Sequence, residues 1–125
     1  MSKTTPKQNK ALVLEAFDLL FNKRDYARAE GYWSDRYIQH SAHIAPGREG
    51  LFDLVRAAPA ALKYENQLIV AEGDFVILHV HSVREKGSRG RAIVDIFKLE
   101  DGKIVEHWDV TQEIPEKSAN SNGMF

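Results

Sequence analysis

The chain has 125 residues, of which 43% are hydrophobic, and a formal net charge of −1, values typical of a single globular domain. Because the sequence has no run of basic residues, nucleic acid and anionic membranes are poor candidates for its main partner. The absence of cysteine excludes disulfides and thiolate chemistry, and no apolar run approaches the roughly 20 residues of a membrane span.

Helix signals dominate the first half of the chain. Thr5 and Gln8 form a capping box around Pro6, and Asp25 is a suitable cap for a second helix. Trp33 to His40 is expected to lead into a loop. No secretory signal follows Met1, so we expect a cytoplasmic protein. Helices are predicted over residues 6 to about 22, 26–32 and 48–58.

From Tyr64 onward the hydrophobic pattern changes to a period of two. Short segments rich in glycine and charge separate the apolar runs and supply turns. Helices followed by a meander of strands predict an α+β fold, with helices packed on one face of a curved antiparallel sheet. The polar tail 114–125 either folds back over a pocket or frays. Strands are predicted over residues 64–71, 75–84, 91–99 and 103–112.

The last predicted hairpin carries Asp95, His107 and Asp109 inside otherwise apolar strands. Ionisable groups are costly to bury, so such strands often line a cavity. A three-residue turn over 100–102 pairs Asp95 with His107 and places all three groups on one face. A two-residue turn instead pairs Asp95 with Trp108 and turns Asp95 away from the other two.

Two segments resemble the SnoaL-like polyketide cyclase group of the nuclear transport factor 2-like (NTF2-like) superfamily. The more specific is residues 101–109, Asp-Gly-Lys-Ile-Val-Glu-His-Trp-Asp; the second is residues 37–40, Tyr-Ile-Gln-His, followed by Gly-Arg-Glu-Gly at 47–50. The resemblance covers nearly the whole chain as one domain. It implies a cone-shaped α+β barrel with three N-terminal helices around a deep pocket, usually in a homodimer.

The resemblance also implies a chemistry for Asp109. In the cyclases of this group the matching acidic residue is the general acid/base of an intramolecular aldol closure that needs no metal or cofactor. Those cyclases carry a histidine at the position of Asp95, so the cyclase reaction itself stays open for this chain. The superfamily also contains dehydratases, isomerases, epoxide hydrolases and pure binding domains.

Asp95 and His107 have alternative interpretations. Asp95 could orient a histidine or share a proton with Asp109, or it could form an ion pair with Arg84 or Arg91. His107 could polarise a carbonyl or relay a proton, or it could be a hydrogen-bonded histidine at the pocket rim.

Other side chains could complete a pocket. His79 and His81 share a face of one strand, and one of them is expected near Asp95 or else packed in the sheet. His40 is a candidate for hydrogen bonding to a ligand. The aromatic candidates for the pocket lining, which core packing explains equally well, are Trp33, Tyr37, Phe52 and Phe97.

The leading hypothesis is a cofactor-independent enzyme that acts on a small carbonyl-containing or polyketide-like molecule, with Asp109, Asp95 and His107 as catalytic residues. A non-catalytic ligand-binding domain is one alternative. A metal-dependent enzyme that uses His40, His43 and His79 with Asp109 is another. Trp108, on the opposite face of its strand, favours a homodimer through the sheet.

Overall fold

A computed structural model of the protein describes residues 4–125 and shows three helices against one five-stranded sheet. The α+β class and the three-helix cone architecture are confirmed; the sheet is curved and does not close. The helices are α1 (Pro6–Phe17, extended by a π-helical segment, Asp18–Asn22), α2 (Tyr26–Glu30) and α3 (Gly47–Ala57). The strands are β1 (Trp33–Gln39), β2 (Lys63–Glu72), β3 (Phe75–Val83), β4 (Arg91–Glu100) and β5 (Lys103–Glu113).

Local signals begin the first two helices where they were predicted. The Thr5 hydroxyl accepts from the backbone N–H of Gln8, and the Gln8 side chain accepts from the N–H of Thr5. Asp25 caps α2 by accepting from the N–H of Arg28. None of the helices in the described part of the chain is long and apolar enough to cross a membrane.

The sheet has the order β1-β5-β4-β3-β2, so the predicted meander gains a strand beside β5. No strand was predicted in residues 33–40, the segment expected to lead into a loop, but β1 occupies most of it and pairs in parallel with β5. Ser34, Asp35 and Arg36 interrupt the apolar alternation that would have revealed this edge strand. The predicted antiparallel meander is present as β2 to β5, and β1 adds one parallel pair at its edge.

The pairing of β4 with β5 differs from both predicted registers, although the turn between them is one of the two that were predicted. Asp101 and Gly102 form a two-residue turn with positive φ angles of 50° and 78°, as a type I′ turn requires. Val105 then has no partner, since Leu99 pairs with Ile104 and Lys98 pairs with Glu106. This one-residue bulge shifts the register, so that the side chains of β5 after Val105 project on the opposite face from the one a regular two-residue hairpin would give them. Asp95 therefore lies opposite Asp109 rather than His107 or Trp108.

The two faces of the sheet have different surroundings. We call the face that packs under α1 and α3 the inner face; with the helices it encloses the hydrophobic core, which includes Trp33, Phe97 and Ile104. Asp95, His107 and Asp109 all project on this side. The opposite, outer face carries Trp108 and Val94.

Candidate functional site

Asp95 and His107 form a buried hydrogen-bonded pair on the inner face. Their residues are 4% and 5% exposed, and His107 Nε2 lies 2.7 Å from Asp95 Oδ1. The Phe97 ring packs against the imidazole at a centroid distance of 4.8 Å. Removing a carboxylate and an imidazole from water is costly, so the pair depends on its own hydrogen bonds.

Gln39 determines which nitrogen of His107 carries a proton. The backbone N–H of Ser41 donates to Gln39 Oε1 at 3.0 Å, so that atom must be the amide oxygen. His107 Nδ1 lies 2.7 Å from the same oxygen and must therefore donate to it. Nε2 then either donates a second proton to the Asp95 carboxylate or accepts one from the Asp95 carboxylic acid. In both forms one proton is shared between Asp95 and His107.

Burial raises the pKa of Asp95 above its usual value. The hydrogen bond from His107 and its charge act in the opposite direction, and the negative charge of Asp109 adds to the rise. A raised pKa favours the form in which Asp95 holds the shared proton. Asp95 is therefore suited to store a proton within the core.

Asp109 supplies the third group of the cluster. It lies directly opposite Asp95 and is only half-buried. Ligand atoms of Asp95, His107 and Asp109 all lie within 4.8 Å of one another. Within residues 4–125 no side chain forms a hydrogen bond or ion pair with the Asp109 carboxylate, which leaves it available to a bound molecule.

A small cavity lies over this cluster. Its volume is about 40 Å³, enough for one or two water molecules. The Tyr37 hydroxyl accepts a hydrogen bond from Gln39 Nε2 at 2.8 Å, and burial raises the pKa of Tyr37, which keeps the hydroxyl protonated. Besides the three ionisable groups, the wall consists of Phe17, Phe21, Trp33, Tyr37, Ile44, Leu51, Leu54, Tyr64, Ile93 and Phe97. Trp33, Tyr37 and Phe97 thus lie where a lining was predicted, and their contact with a ligand stays a prediction.

The predicted placement of His40 and His79 in the pocket was wrong. His40 lies on the outer face, where its ring stacks on Trp108 at 4.9 Å and its Nε2 contacts Glu106 Oε2 at 2.6 Å. His79 pairs with Val94, and its ring packs against Phe125 at 5.0 Å, also on the outer face. Strand alternation is the reason, since Leu78 rather than His79 lies opposite Asp95.

The predicted His40, His43 and His79 metal set does not assemble around Asp109. His40 and His79 lie on the outer face of the sheet, and His43 is exposed in the loop after β1. Among the described residues, Asp95, His107 and Asp109 are instead the set whose spacing could hold a metal ion. A metal would have to replace the hydrogen bond between His107 Nε2 and Asp95, because Nδ1 is already committed to Gln39.

Sequence reasoning missed the role of Gln39. Its side chain meets His107, Ser41 and Tyr37, and these contacts depend on the parallel pairing of β1 with β5. The only signal in the sequence is that Gln39 stands two residues after Tyr37, on the same side of an extended segment. The alternative ion pair between Asp95 and Arg84 or Arg91 does not form.

The comparisons with known proteins agree with this architecture. The SnoaL-like domain family matches residues 13–107, a segment that ends just before Asp109. No curated protein has a sequence that matches this chain.

Solved structures show the same fold. AclR from Streptomyces galilaeus, a candidate hydroxylase, is 25% identical, with a TM-score of 0.70 over 86% of this chain and 91% of its own. An NTF2-like protein of unknown function from Cytophaga hutchinsonii is 20% identical, with a TM-score of 0.72 over 83% and 89%. A candidate polyketide cyclase from Acidithiobacillus ferrooxidans is 15% identical, with a TM-score of 0.70 over 89% and 91%. With a family match over most of its length and these neighbours in structure, the chain belongs to the SnoaL-like family and has the NTF2-like fold.

Proposed function

We propose that the protein is an enzyme that moves a proton to and from the carbon next to a carbonyl group, without a cofactor. One observation carries the proposal: the unpaired Asp109 carboxylate lies beside the buried Asp95–His107 pair, and all three residues border one cavity. A free carboxylate is a base, and the pair beside it holds a proton that can move. Asp109 can therefore take a proton from carbon and return it, while the pair beside it holds the local charge and geometry.

Asp109 is the group that removes the proton. It is the most exposed of the three and the only one without a hydrogen bond among the described residues, so a substrate can reach it. Asp95 and His107 are nearly inaccessible, which suits them to hold the site's charge and geometry rather than to contact the substrate directly. We assign them as positioning residues that also tune the charge beside Asp109.

Tyr37 is the donor for the enolate oxygen that forms when the proton leaves. Its hydroxyl oxygen accepts from Gln39, and its own proton is not donated to any side chain in residues 4–125. A protonated phenol in an apolar wall stabilises a developing oxyanion strongly, because little water competes for it. Isomerisation, dehydration and aldol closure all begin with such an enolate, and the reaction type within this set stays a prediction.

The size of the cavity sets a condition on the substrate. About 40 Å³ holds no organic molecule larger than a few atoms. Ile44, in the loop after β1, and Leu54, on α3, are both half-buried parts of the wall. We expect these two side chains to move when a substrate enters.

Exchange of carbon-bound protons tests the proposal without knowledge of the product. A panel of small ketones and 1,3-dicarbonyl compounds is incubated in D₂O, and deuterium incorporation is followed by proton NMR. Asp109→Asn should slow exchange by about 10²–10⁴-fold, the usual contribution of a general base. The matched control Asp35→Asn removes an exposed carboxylate from β1 and should exchange at the wild-type rate. Wild-type exchange in Asp109→Asn would contradict the proposal.

A metal-dependent enzyme is the second candidate, because Asp95, His107 and Asp109 offer one nitrogen and two carboxylate ligands. Native mass spectrometry of freshly purified protein, beside the same sample denatured, separates the two mechanisms. A metal mass in the native spectrum that Asp109→Asn loses supports the metal enzyme.

Ligand binding that Asp109→Asn leaves unchanged, with no turnover, supports a binding domain instead.

We also propose that a second copy of the chain covers the outer face. The exposed large apolar side chains on this face are Ile38, Leu68, Val70, Phe75, Ile77, Val94 and Val110. Leu68, Val70, Ile77 and Val94 line one shared depression of this face, and an exposed apolar patch of this kind favours a protein interface. The tail does not cover the pocket but returns to this side, where Phe125 packs against His79 and His81.

The cytoplasmic location stays a prediction.

A further inference from the structure

Three arginines lie together at the end of the sheet away from the β4–β5 turn. We call Arg84, Arg89 and Arg91 the arginine cluster; with Ser82 and Glu113 they line a groove of about 560 Å³. Arg89 Nε donates to the backbone oxygen of Ile114. Arg84 and Arg91 form no ion pair within 4.0 Å and no side-chain hydrogen bond with any residue in the described chain. Two guanidinium groups therefore remain free to bind a ligand.

The register places Arg91, the member of the cluster that lies in a strand, on the same face as the proposed catalytic group. Arg91 pairs with Ser82 on one side and Glu113 on the other, just as Asp95 pairs with Leu78 and Asp109. Arg91 and Asp95 are four positions apart on β4, an even number, so both project on the inner side. At ~3.3 Å per residue their Cα atoms are about 13 Å apart.

Tyr64 connects the groove to the cavity. Its side chain forms part of the cavity wall, and its partner on β3 is Ser82, which lines the groove. Burial raises the pKa of Tyr64, and the positive charges of Arg91 and Arg84 act against that rise. The two guanidinium groups therefore lie close enough to influence a side chain that borders the Asp109 cavity.

We infer that the arginine cluster binds a carboxylate on the substrate, so that the enzyme acts on oxoacids whose carbonyl lies beside Asp109. The inference rests on the proposed function and names its substrate class. Planar guanidinium groups pair with carboxylates through two parallel hydrogen bonds. Glu85 and Glu113 border the same groove, so three positive and two negative groups meet there. That balance favours a singly charged carboxylate over a phosphate, which carries nearly two charges.

A matched pair of compounds tests the inference. 7-Oxooctanoate carries a ketone and a carboxylate at the ends of one chain, and its methyl ester is the neutral control. Calorimetric titration into wild-type protein should give about tenfold tighter binding of the acid than of the ester, a preference that falls as NaCl is raised. In Arg84→Gln/Arg91→Gln the affinity for the acid should fall to that of the ester.

The control variant is Arg36→Gln/Lys103→Gln, which removes two exposed positive charges elsewhere on the sheet and should keep the wild-type preference. Equal binding of acid and ester by the wild type, a preference that survives in Arg84→Gln/Arg91→Gln, or binding of neither compound at millimolar concentration would overturn the inference. If Arg84→Gln/Arg91→Gln fails to fold, Arg84→Gln alone and the salt series on the wild type decide.

Deuterium exchange on the same compounds separates this inference from the proposed function. Preferential binding of the acid, without exchange that depends on Asp109, supports the arginine site and contradicts the proposed chemistry. Exchange that depends on Asp109 but is equal for acid and ester supports the chemistry and contradicts the arginine site.

Discussion

His107 Nε2 and Asp95 Oδ1 are 2.7 Å apart in the core of the protein, and the other nitrogen of His107 is committed to Gln39. The contact therefore has two proton arrangements of similar geometry. In one, both residues are charged; in the other, both are neutral. The pair has no net charge in either form, so movement of the shared proton redistributes charge beside Asp109 without leaving a net charge in the core.

Asp95→Asn should change how stability depends on pH. The folded state raises the pKa of Asp95, so it binds that proton more tightly than the unfolded chain. The associated stability is complete below the unfolded-state pKa and is lost as pH rises through the folded-state pKa. The free energy of unfolding of Asp95→Asn relative to wild type should therefore increase with pH, by at most ~1.4 kcal/mol per pH unit. Urea titrations at several pH values measure it.

The control for that experiment is Asp35→Asn, an exposed aspartate whose variant should show no such trend. A difference between Asp95→Asn and wild type that stays constant, or that shrinks as pH rises, would contradict the raised pKa.

Gln39→Leu should destabilise the fold and disturb His107. The substitution leaves the N–H of Ser41 and Nδ1 of His107 without an acceptor, at a cost of about 1–3 kcal/mol. Gln112→Leu, an exposed glutamine on β5, is the matched control and should change the free energy of unfolding by less than ~0.5 kcal/mol. Equal stabilities of the two variants in chemical denaturation would show that the Gln39 contacts contribute nothing.

The elements and the site differ in how far the sequence predicts them. Thr5 and Asp25 begin helices through contacts with residues three positions away, so short-range patterns are enough. The strand β1 carries Gln39 to His107 by a parallel pairing across 68 residues, and no local pattern encodes it. The polar residues Ser34, Asp35 and Arg36 in the middle of β1 also remove the apolar alternation by which a strand is predicted.

The shared face of Asp95, His107 and Asp109 was predicted correctly, but with the wrong pairing. The two-residue turn at Asp101 and Gly102 would, on its own, have turned Asp95 away from the other two. The unpaired Val105 restores the shared face by adding one residue to β5. A bulge has no reliable sequence signature here, and His40 and His79 were misplaced for the related reason that strand faces depend on register.

Val110→Lys should weaken the proposed dimer. Val110 is 70% exposed on the outer face, so lysine costs the monomer little but brings a charge into an apolar interface. Leu14→Lys, which replaces an exposed leucine on α1, is the control and should leave the association unchanged. Sedimentation velocity should show a wild-type dimer and a largely monomeric Val110→Lys. A monomeric wild type, or equal dimerisation of all three proteins, would rule the interface out.

The state of the His107 ring is the most direct test of the site as a whole. Nitrogen-15 NMR of uniformly labelled protein, with the signal assigned by loss in His107→Gln, reports which ring nitrogens carry protons. We expect Nδ1 to carry a proton at every pH at which the protein is folded, whether Nε2 or Asp95 holds the shared proton. A His107 with a bare Nδ1 and its only proton on Nε2 would contradict the arrangement of Gln39, His107 and Asp95 on which the proposed chemistry depends.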